Sequence, residues 1–499
     1  MSTATIDNVN MKQPGGLYLL FFAEMWERFS YYGMRAILVL YMTKELIFSD
    51  TLSFMVYGAF TAFVYMTPVF GGMIADKLLG FTRAVKLGAV LIILGHIALA
   101  LPSIDGLPEN IFFYTGLSFI IVGTGFFKAN ISSMVGHLYE RKDPRRNSGF
   151  TIFYMGINLG SFLASISVAV VAEWLGWHYG FGLAAIGMFL GLLTFMYADR
   201  IKIFSPDSNR PNLERLKKKI LLGINTNVMI YIVAILLVPV FAWLLANPGG
   251  SQVTLIVVGG VIVLYFLYQA MISDKQERNH IFAILILSFF SMFFWSFFEQ
   301  AGSSINLFTD RNIDRWIFGY EIPAGAFQAL NAGFIILLAP FFATLWMRLA
   351  KMKKDPSVPV KFVLGVFFIG AGFFALAMGA YLAITDGQSS MTWVVLGYLL
   401  HTIGELCLSP VGLSAVTQLA PTRLVGMMMG AWFLSSAFAN YIASIIAALT
   451  SSGDVGGVVQ SATAYANVYY DVFLKIGITA VVASLIMLAL SPSIKKLMR

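Results

Sequence analysis

EMWERFSYYG, residues 24–33, sets Glu24, Glu27 and Arg28 inside a run that is otherwise apolar enough to cross a bilayer. On a helix turning about 100° per residue, Glu24, Glu27, Arg28, Tyr31 and Arg35 fall within about 60° of one direction. Trp26, Phe29 and Ser30 point away from that arc. A single charge at mid-bilayer costs about 2.5–3.5 kcal/mol on insertion scales, so a polar stripe of this kind is expected to face a wet cavity. The alternative is a structural ladder in which Glu24 and Arg28, four residues apart, satisfy each other. Desolvation makes such a buried pair poor evidence for stability.

The rest of the chain supplies the membrane context. Of 499 residues, 58% are hydrophobic and 12% charged, and the mean hydropathy is +0.79. A soluble globule has no means of hiding that much apolar surface. About fourteen runs are long enough to span roughly 30 Å of hydrocarbon as helices. They lie near 17–42, 53–76, 85–102, 111–138, 149–171, 178–198, 220–245, 253–273, 280–305, 326–347, 362–384, 390–419, 424–450 and 464–490. The first carries charges along its length, unlike the short apolar core of a cleaved leader, and is expected to be retained. Cys407, the one cysteine, lies within a span, which excludes an intramolecular disulfide.

The net charge of +8 reports topology rather than nucleic acid as a partner. With a cytoplasmic N-terminus, 26 of the 33 Lys and Arg residues fall on the inside, in runs such as RKDPRR, ERLKKK and KKLMR. That asymmetry is the positive-inside pattern and puts both termini in the cytoplasm. A polar linker at 199–219 and a gap at 274–279 divide the spans six, two, six. The division predicts a cytoplasmic N-terminus (1–16), a six-helix bundle (17–198), a linker with two extra helices (199–279), a second bundle (280–490) and a cytoplasmic tail (491–499). Residues 220–273 hold no mid-span charge, so the extra pair is expected to be peripheral. Gly72, Asp76, Gly80 and Arg83, in GGMIADKLLGFTR between the second and third spans, resemble the loop motif of the major facilitator superfamily. There the acid clasps neighbouring helix ends on the cytoplasmic side.

EMWERFSYYG itself resembles the E-x-x-E-R-F-x-Y-Y-G signature of the proton-coupled oligopeptide transporter (peptide transporter, PTR) family. FYMGINLGS (153–161) resembles that family's F-Y-x-x-I-N-x-G-S element, and GTGFFKAN (123–130) and GELCLSPVGLS (404–414) are similar to further family segments. The resemblance covers nearly the whole chain. It implies an all-α polytopic membrane protein of the major facilitator fold, two six-helix bundles plus two additional helices. The implied activity is import of di- and tripeptides with protons by alternating access, in a bacterial cytoplasmic membrane. Neither an enzymatic reaction nor any cofactor besides the coupling proton is expected, and the protein is expected to be monomeric.

Beyond the first span, deep ionisable residues are few: Lys128, Glu299 and Glu405. With Arg28, Arg35, Glu24 and Glu27 they approach neutrality once one carboxyl holds a proton. A carboxyl that gains and loses a cationic partner changes its proton affinity, so exchange of partners moves protons. A zwitterionic peptide across the cavity would set its carboxylate by Arg35 and Lys128 and its ammonium by Glu405, as the resemblance also implies. On that view Glu299 pairs with Arg35 when the outside is closed, and Lys128 pairs with Glu24 and Glu27. The resemblance further implies Tyr31, Tyr32, Tyr65, Asn158 and Asn331 as hydrogen-bond partners of the peptide, with Trp295, Trp432 and Ser436 around side-chain pockets.

Two positions depart from the family pattern: Ala129 and Ala332 stand where many members carry a kinking proline, while Pro340 and Pro410 remain nearby. Of the histidines, His401, four residues before Glu405, is the candidate proton relay, set against simple packing. No metal-ligand spacing, phosphate loop or nucleophile triad occurs. Two alternatives stay open, another small solute such as nitrate, an amino-acid derivative or a drug, and a non-transporting receptor. Glu405 disfavours the first, since a simple anion needs no ammonium acceptor, and the lack of a soluble signalling domain disfavours the second.

Overall fold

The computed structural model describes residues 12–102, 110–140, 143, 145–204, 211–219, 223–421, 425–451 and 461–498. The start of the predicted N-terminal segment, part of RKDPRR and positions 205–210 of the linker lie outside them.

Six long helices come first: α1 (Gly15–Lys44), α2 (Asp50–Ile74), α3 (Phe81–Ala100), α4 (Ile111–His137), α5 (Arg146–Leu175) and α6 (Trp177–Arg200). A short α7 (Leu213–Lys217) leads into α8 (Thr226–Ala246) and α9 (Pro248–Ile272). Then come α10 (Lys275–Phe298), short α11 (Ser304–Asn312), α12 (Ala329–Lys351), α13 (Val358–Asp386), α14 (Thr392–Leu419), α15 (Val425–Ala448) and α16 (Ala462–Leu497). Among the described residues twelve helical segments are long and apolar enough to cross a membrane. Backbone groups have no water to bond in hydrocarbon, and a helix satisfies them internally. Helix α1 falls outside that set for the reason that makes it interesting: Glu24, Glu27, Arg28 and Arg35 lower its hydropathy.

In the first half α1 packs on α5 and α6, and α3 on α4 and α6; in the second, α13 packs on α14 and α16. The halves meet where α2 crosses α15 and where α5 lies against α12. Small residues allow that approach, as in membrane helix packing generally. A Cβ on Gly58 of α2 would stand 2.2 Å from the Ser444 Cβ of α15. Helices α8 and α9 are mostly exposed and lie outside this frame, against α4 and against α2 and α10. Apart from a packed stripe that includes Ile230, Ala234, Phe241, Leu255 and Phe266, their apolar side chains are largely exposed.

Two details differ from the sequence reading. Helix α16 runs on through Pro492 to Leu497, so most of the expected tail is helical, with Lys495 and Lys496 in its last turn where cations suit the helix dipole. The ninth span is broken: α10 stops at Phe298, and a 3-10 turn, Glu299–Gly302, separates it from α11. Short strands follow, β1 (Ile313–Asp314), β2 (Trp316–Ile317) and β3 (Tyr320–Glu321), with β4 (Ser389–Ser390) after α13. Strand β1 pairs parallel with β4, and β2 with β3 as a hairpin.

Candidate functional site

The α1 stripe is buried. Glu24, Glu27 and Arg28 are at most 3% exposed. Arg28 contacts both carboxylates, reaching Glu24 Oε1 with Nε at 3.0 Å. The i, i+4 ladder is thus present. It is incomplete as a hydrogen-bond network, because Glu24 Oε2, Glu27 Oε2 and two Arg28 nitrogens, Nε and one Nη, have no aligned protein partner among the described residues. Tyr31 beside them leaves its buried hydroxyl unpartnered as well. Its ring lies 5.7 Å beneath Arg28 and packs edge-on against Tyr32. These atoms gather along one helix, and the ion pairs with Arg28 supply most of what the two carboxylates receive from the protein.

Lys128 on α4 does not pair with the α1 acids here. Its ammonium lies 3.8 Å over the ring of Tyr65, and among the described residues no carboxylate stands within ion-pair distance of it. Arg28, closer in sequence and already on α1, holds both carboxylates, and the aromatic face of Tyr65 takes the lysine as a cation–π partner.

Arg35 joins the halves. It pairs with Glu299 in the broken ninth span, and its Nε donates to the Tyr57 hydroxyl at 2.6 Å. Tyr32 lies beneath the guanidinium at 5.8 Å. The helix break is what brings Glu299 there, and Gly302 permits it, since a Cβ on that residue would meet Tyr57 Oη at 1.8 Å. Glycine at this point lets the turn lie flat against α2.

A second cluster lies wholly within the C-terminal half. Glu405 on α14 accepts a hydrogen bond from Asn331 Nδ2 at 2.9 Å, and the same amide reaches Thr402 Oγ1 at 3.1 Å. No cation pairs with this carboxylate among the described residues. The buried anion on α14 is therefore held by neutral donors only, whereas every cation of the site stands in the first half.

The remaining expected residues take assorted positions. Asn158 is buried and donates to Tyr154 O of its own helix. Trp295 is half-buried, 4.9 Å edge-on from Phe298. Trp432 is buried against Phe362 and over Gly412, and Ser436 is half-buried with its carbonyl accepting from Asn440. His401 is packed 4.9 Å from Phe373 and touches Gly372, which favours the packing reading. In the loop motif, Asp76 and Arg83 are exposed, and neither forms an ion pair or a side-chain hydrogen bond among the described residues. The turn there is π-helical over Ala75–Leu79 and ends at Gly80 with φ 75°.

Sequence reading missed the latch at the end where α1 finishes and α2 begins. Arg311 of α11 grips Asp50 of α2 with two bonds of 2.6 and 2.7 Å, Lys44 pairs with Asp310 at 2.7 Å, and Asn306 donates to Ala36 O at 3.0 Å. Among the described residues no ion pair joins the halves at the opposite end. This end is shut. Tyr57, Thr402 and Asp50 carried no motif, so nothing in the one-dimensional pattern marked them. A groove of about 560 Å³ opens elsewhere, between α10, α15 and α16, and contains none of the stripe residues.

The sequence profile of the POT family matches residues 82–465. The chain belongs to the POT family. It is 39% identical over 456 residues to the peptide transporter YePEPT of Yersinia enterocolitica, covering 87% of each chain. It is 35% identical to dipeptide and tripeptide permease B of Xenorhabdus bovienii, covering 98% of this chain and 97% of that one. It superposes on a POT family transporter crystallised with 5-aminolevulinic acid at a TM-score of 0.80 and 33% identity, covering 96% and 97%. This POT family member is an integral membrane protein with the major facilitator fold, two six-helix bundles and two extra helices.

Proposed function

We propose that the protein is a proton-coupled symporter that imports di- and tripeptides by alternating access. The bundles 17–198 and 280–490 rock about the seam between α2/α15 and α5/α12, with 199–279 as a peripheral insert. Both termini lie in the cytoplasm of a bacterial cell, and the unit is a monomer.

The observation that carries this reading is the Arg35–Glu299 pair, a buried cation of one half held by a buried anion of the other. A proton on Glu299 removes the charge that holds Arg35 across the seam, and the freed guanidinium becomes available to an incoming carboxylate. Arg35 and Lys128 then bind the peptide C-terminus. Glu405, held ready by Asn331 and lacking a cation of its own, takes the N-terminal ammonium. Glu24 and Glu27 carry the proton toward the site, exchanging Arg28 for Lys128 as Lys128 leaves Tyr65. Tyr31, Tyr32, Tyr65 and Asn158 serve the peptide backbone, and Trp295, Trp432 and Ser436 shape permissive pockets.

The complex of a similar POT family transporter with 5-aminolevulinic acid favours one second reading, an amino-acid derivative as cargo. It too is a zwitterion, and it would use the same two poles. Proteoliposome uptake of labelled dialanine under an imposed pH gradient tests the first reading, repeated with Glu24, Lys128, Glu299 and Glu405 neutralised one at a time. Gradient-driven uptake that each neutralisation abolishes supports it. Absence of any dialanine uptake, with uptake of 5-aminolevulinic acid intact, would transfer the proposal to the second.

A further inference from the structure

The hairpin made by β2 and β3 spends a bulky residue where none helps the fold. Its two-residue turn, Phe318–Gly319, has φ of 48° and 84°, the left-handed pair that a tight hairpin requires. Glycine meets that demand freely, and asparagine or aspartate is the usual companion, whereas an aromatic residue is strained there. Phe318 is also 98% exposed, so its ring recovers nothing from protein contacts. Trp316 at 59% and Tyr320 at 71% are exposed beside it. An apolar tip that is both strained and unpacked has its compensation outside the chain.

The position of the hairpin says where. Arg315, at its base, is buried and fixes it by bonding Ile322 O at 2.6 Å, Glu321 at 2.8 Å and Asp310 at 3.4 Å. The same guanidinium lies 3.9 Å from Glu173 at the end of α5. The next residue, Trp174, and Tyr179 at the start of α6 are exposed, an aromatic pair at the level where two spans leave the hydrocarbon. Trp and Tyr gather at this level because one edge of each ring is apolar and the other wet. We propose that residues 316–320 are an interfacial anchor whose Phe318 tip inserts at the headgroup–acyl boundary of the leaflet on the latched side. That leaflet is the outer one under the proposed topology. Since Arg315 touches both α5 and the α11 end, the anchor ties the shut side of the seam to the lipid surface. The assignment rests on the transmembrane frame and not on which solute is carried.

The test uses the full chain in liposomes, with Phe318→Cys made in a Cys407→Ser background and labelled with an environment-sensitive fluorophore. A Lys353→Cys control reports an exposed loop at the opposite end. Expected at 318 is a blue-shifted emission relative to 353, with strong loss of signal when lipids carry a nitroxide near the head of the acyl chain and weak loss with aqueous iodide. The same label at Tyr320→Cys should behave alike. Emission matching the 353 control, with quenching by iodide alone, overturns the anchor. A blue shift that disappears as protein is diluted in lipid also overturns it, because contact between copies would then be the cause. Both negative outcomes leave peptide uptake unaffected as a question, and loss of dialanine uptake leaves this assignment standing.

Discussion

Replacing Gly58 by alanine is expected to hold the transporter open on its latched side. The added Cβ would stand 2.2 Å from Ser444 Cβ and 2.3 Å from its Oγ. Carbon atoms rest at roughly 3.5–4.0 Å, so α2 and α15 must back apart or shift by over an ångström. Ser444 offers no easy retreat, because its Cβ is fixed to the α15 backbone and its hydroxyl is bonded to Tyr441 O. Overpacking of this order costs about 1–3 kcal/mol. Alanine also gains up to about 1 kcal/mol over glycine in helix propensity, but α2 is helical whichever way the protein opens, so that gain cancels. The clash falls only on the state in which the halves meet. At 1.4 kcal/mol per decade, the latched population should fall roughly 5- to 150-fold relative to the open one. Spin labels placed on the outer ends of α2 and α15 would read this as a longer distance distribution, with substrate binding from that side retained and turnover reduced. An unchanged distribution, in a variant that folds and binds, would refute the claim that the halves close through this glycine.

Three further outcomes follow from the site. Glu299→Gln should abolish uphill uptake while leaving peptide exchange measurable, because the neutral side chain mimics the protonated gate; loss of both in a folded variant would count against partner exchange. Arg311→Ala should leave Asp50 of the latch without its cation and weaken closure by about 1–3 kcal/mol, because both side chains are partly exposed and screened; paired with Asp50→Ala, a double-mutant cycle should return a clear coupling, and additive single effects would deny the latch. In the loop before α5, hydrogen bonds from the Arg145 side chain and backbone hold the Asp143 carboxyl below its ordinary value. A depressed carboxyl contributes above the ordinary carboxylate range and loses its contribution as pH falls through the folded value. The pair is solvent-screened, so Asp143→Asn should lower the melting temperature slightly at neutral pH and not at all in strong acid; a gap that widens on acidification contradicts the assignment.

The membrane class, the run of fourteen long helices and the stripe of α1 were legible in the chain because each is local. Hydropathy over some twenty residues, and the phase of Glu24, Arg28 and Arg35 on one helix, need no knowledge of neighbours. Family motifs likewise marked Lys128, Asn158 and Glu405, all within short contiguous segments. Partners were another matter. The Arg28–Glu24 ladder follows from spacing on one helix, but that Lys128 lies on Tyr65, that Tyr57 completes the grip on Arg35, and that Asp50 meets Arg311 across 261 positions all depend on which helix faces which. The broken ninth span, Glu299–Gly302, follows the same rule, its glycine making sense only against the Tyr57 hydroxyl. Sequence by itself fixed which side chains would be dragged into the membrane, since burial there is decided by each helix's own composition. Only the tertiary packing decided how their charges are paired, because pairing is a short-range Coulombic matter settled by contact between helices distant along the chain.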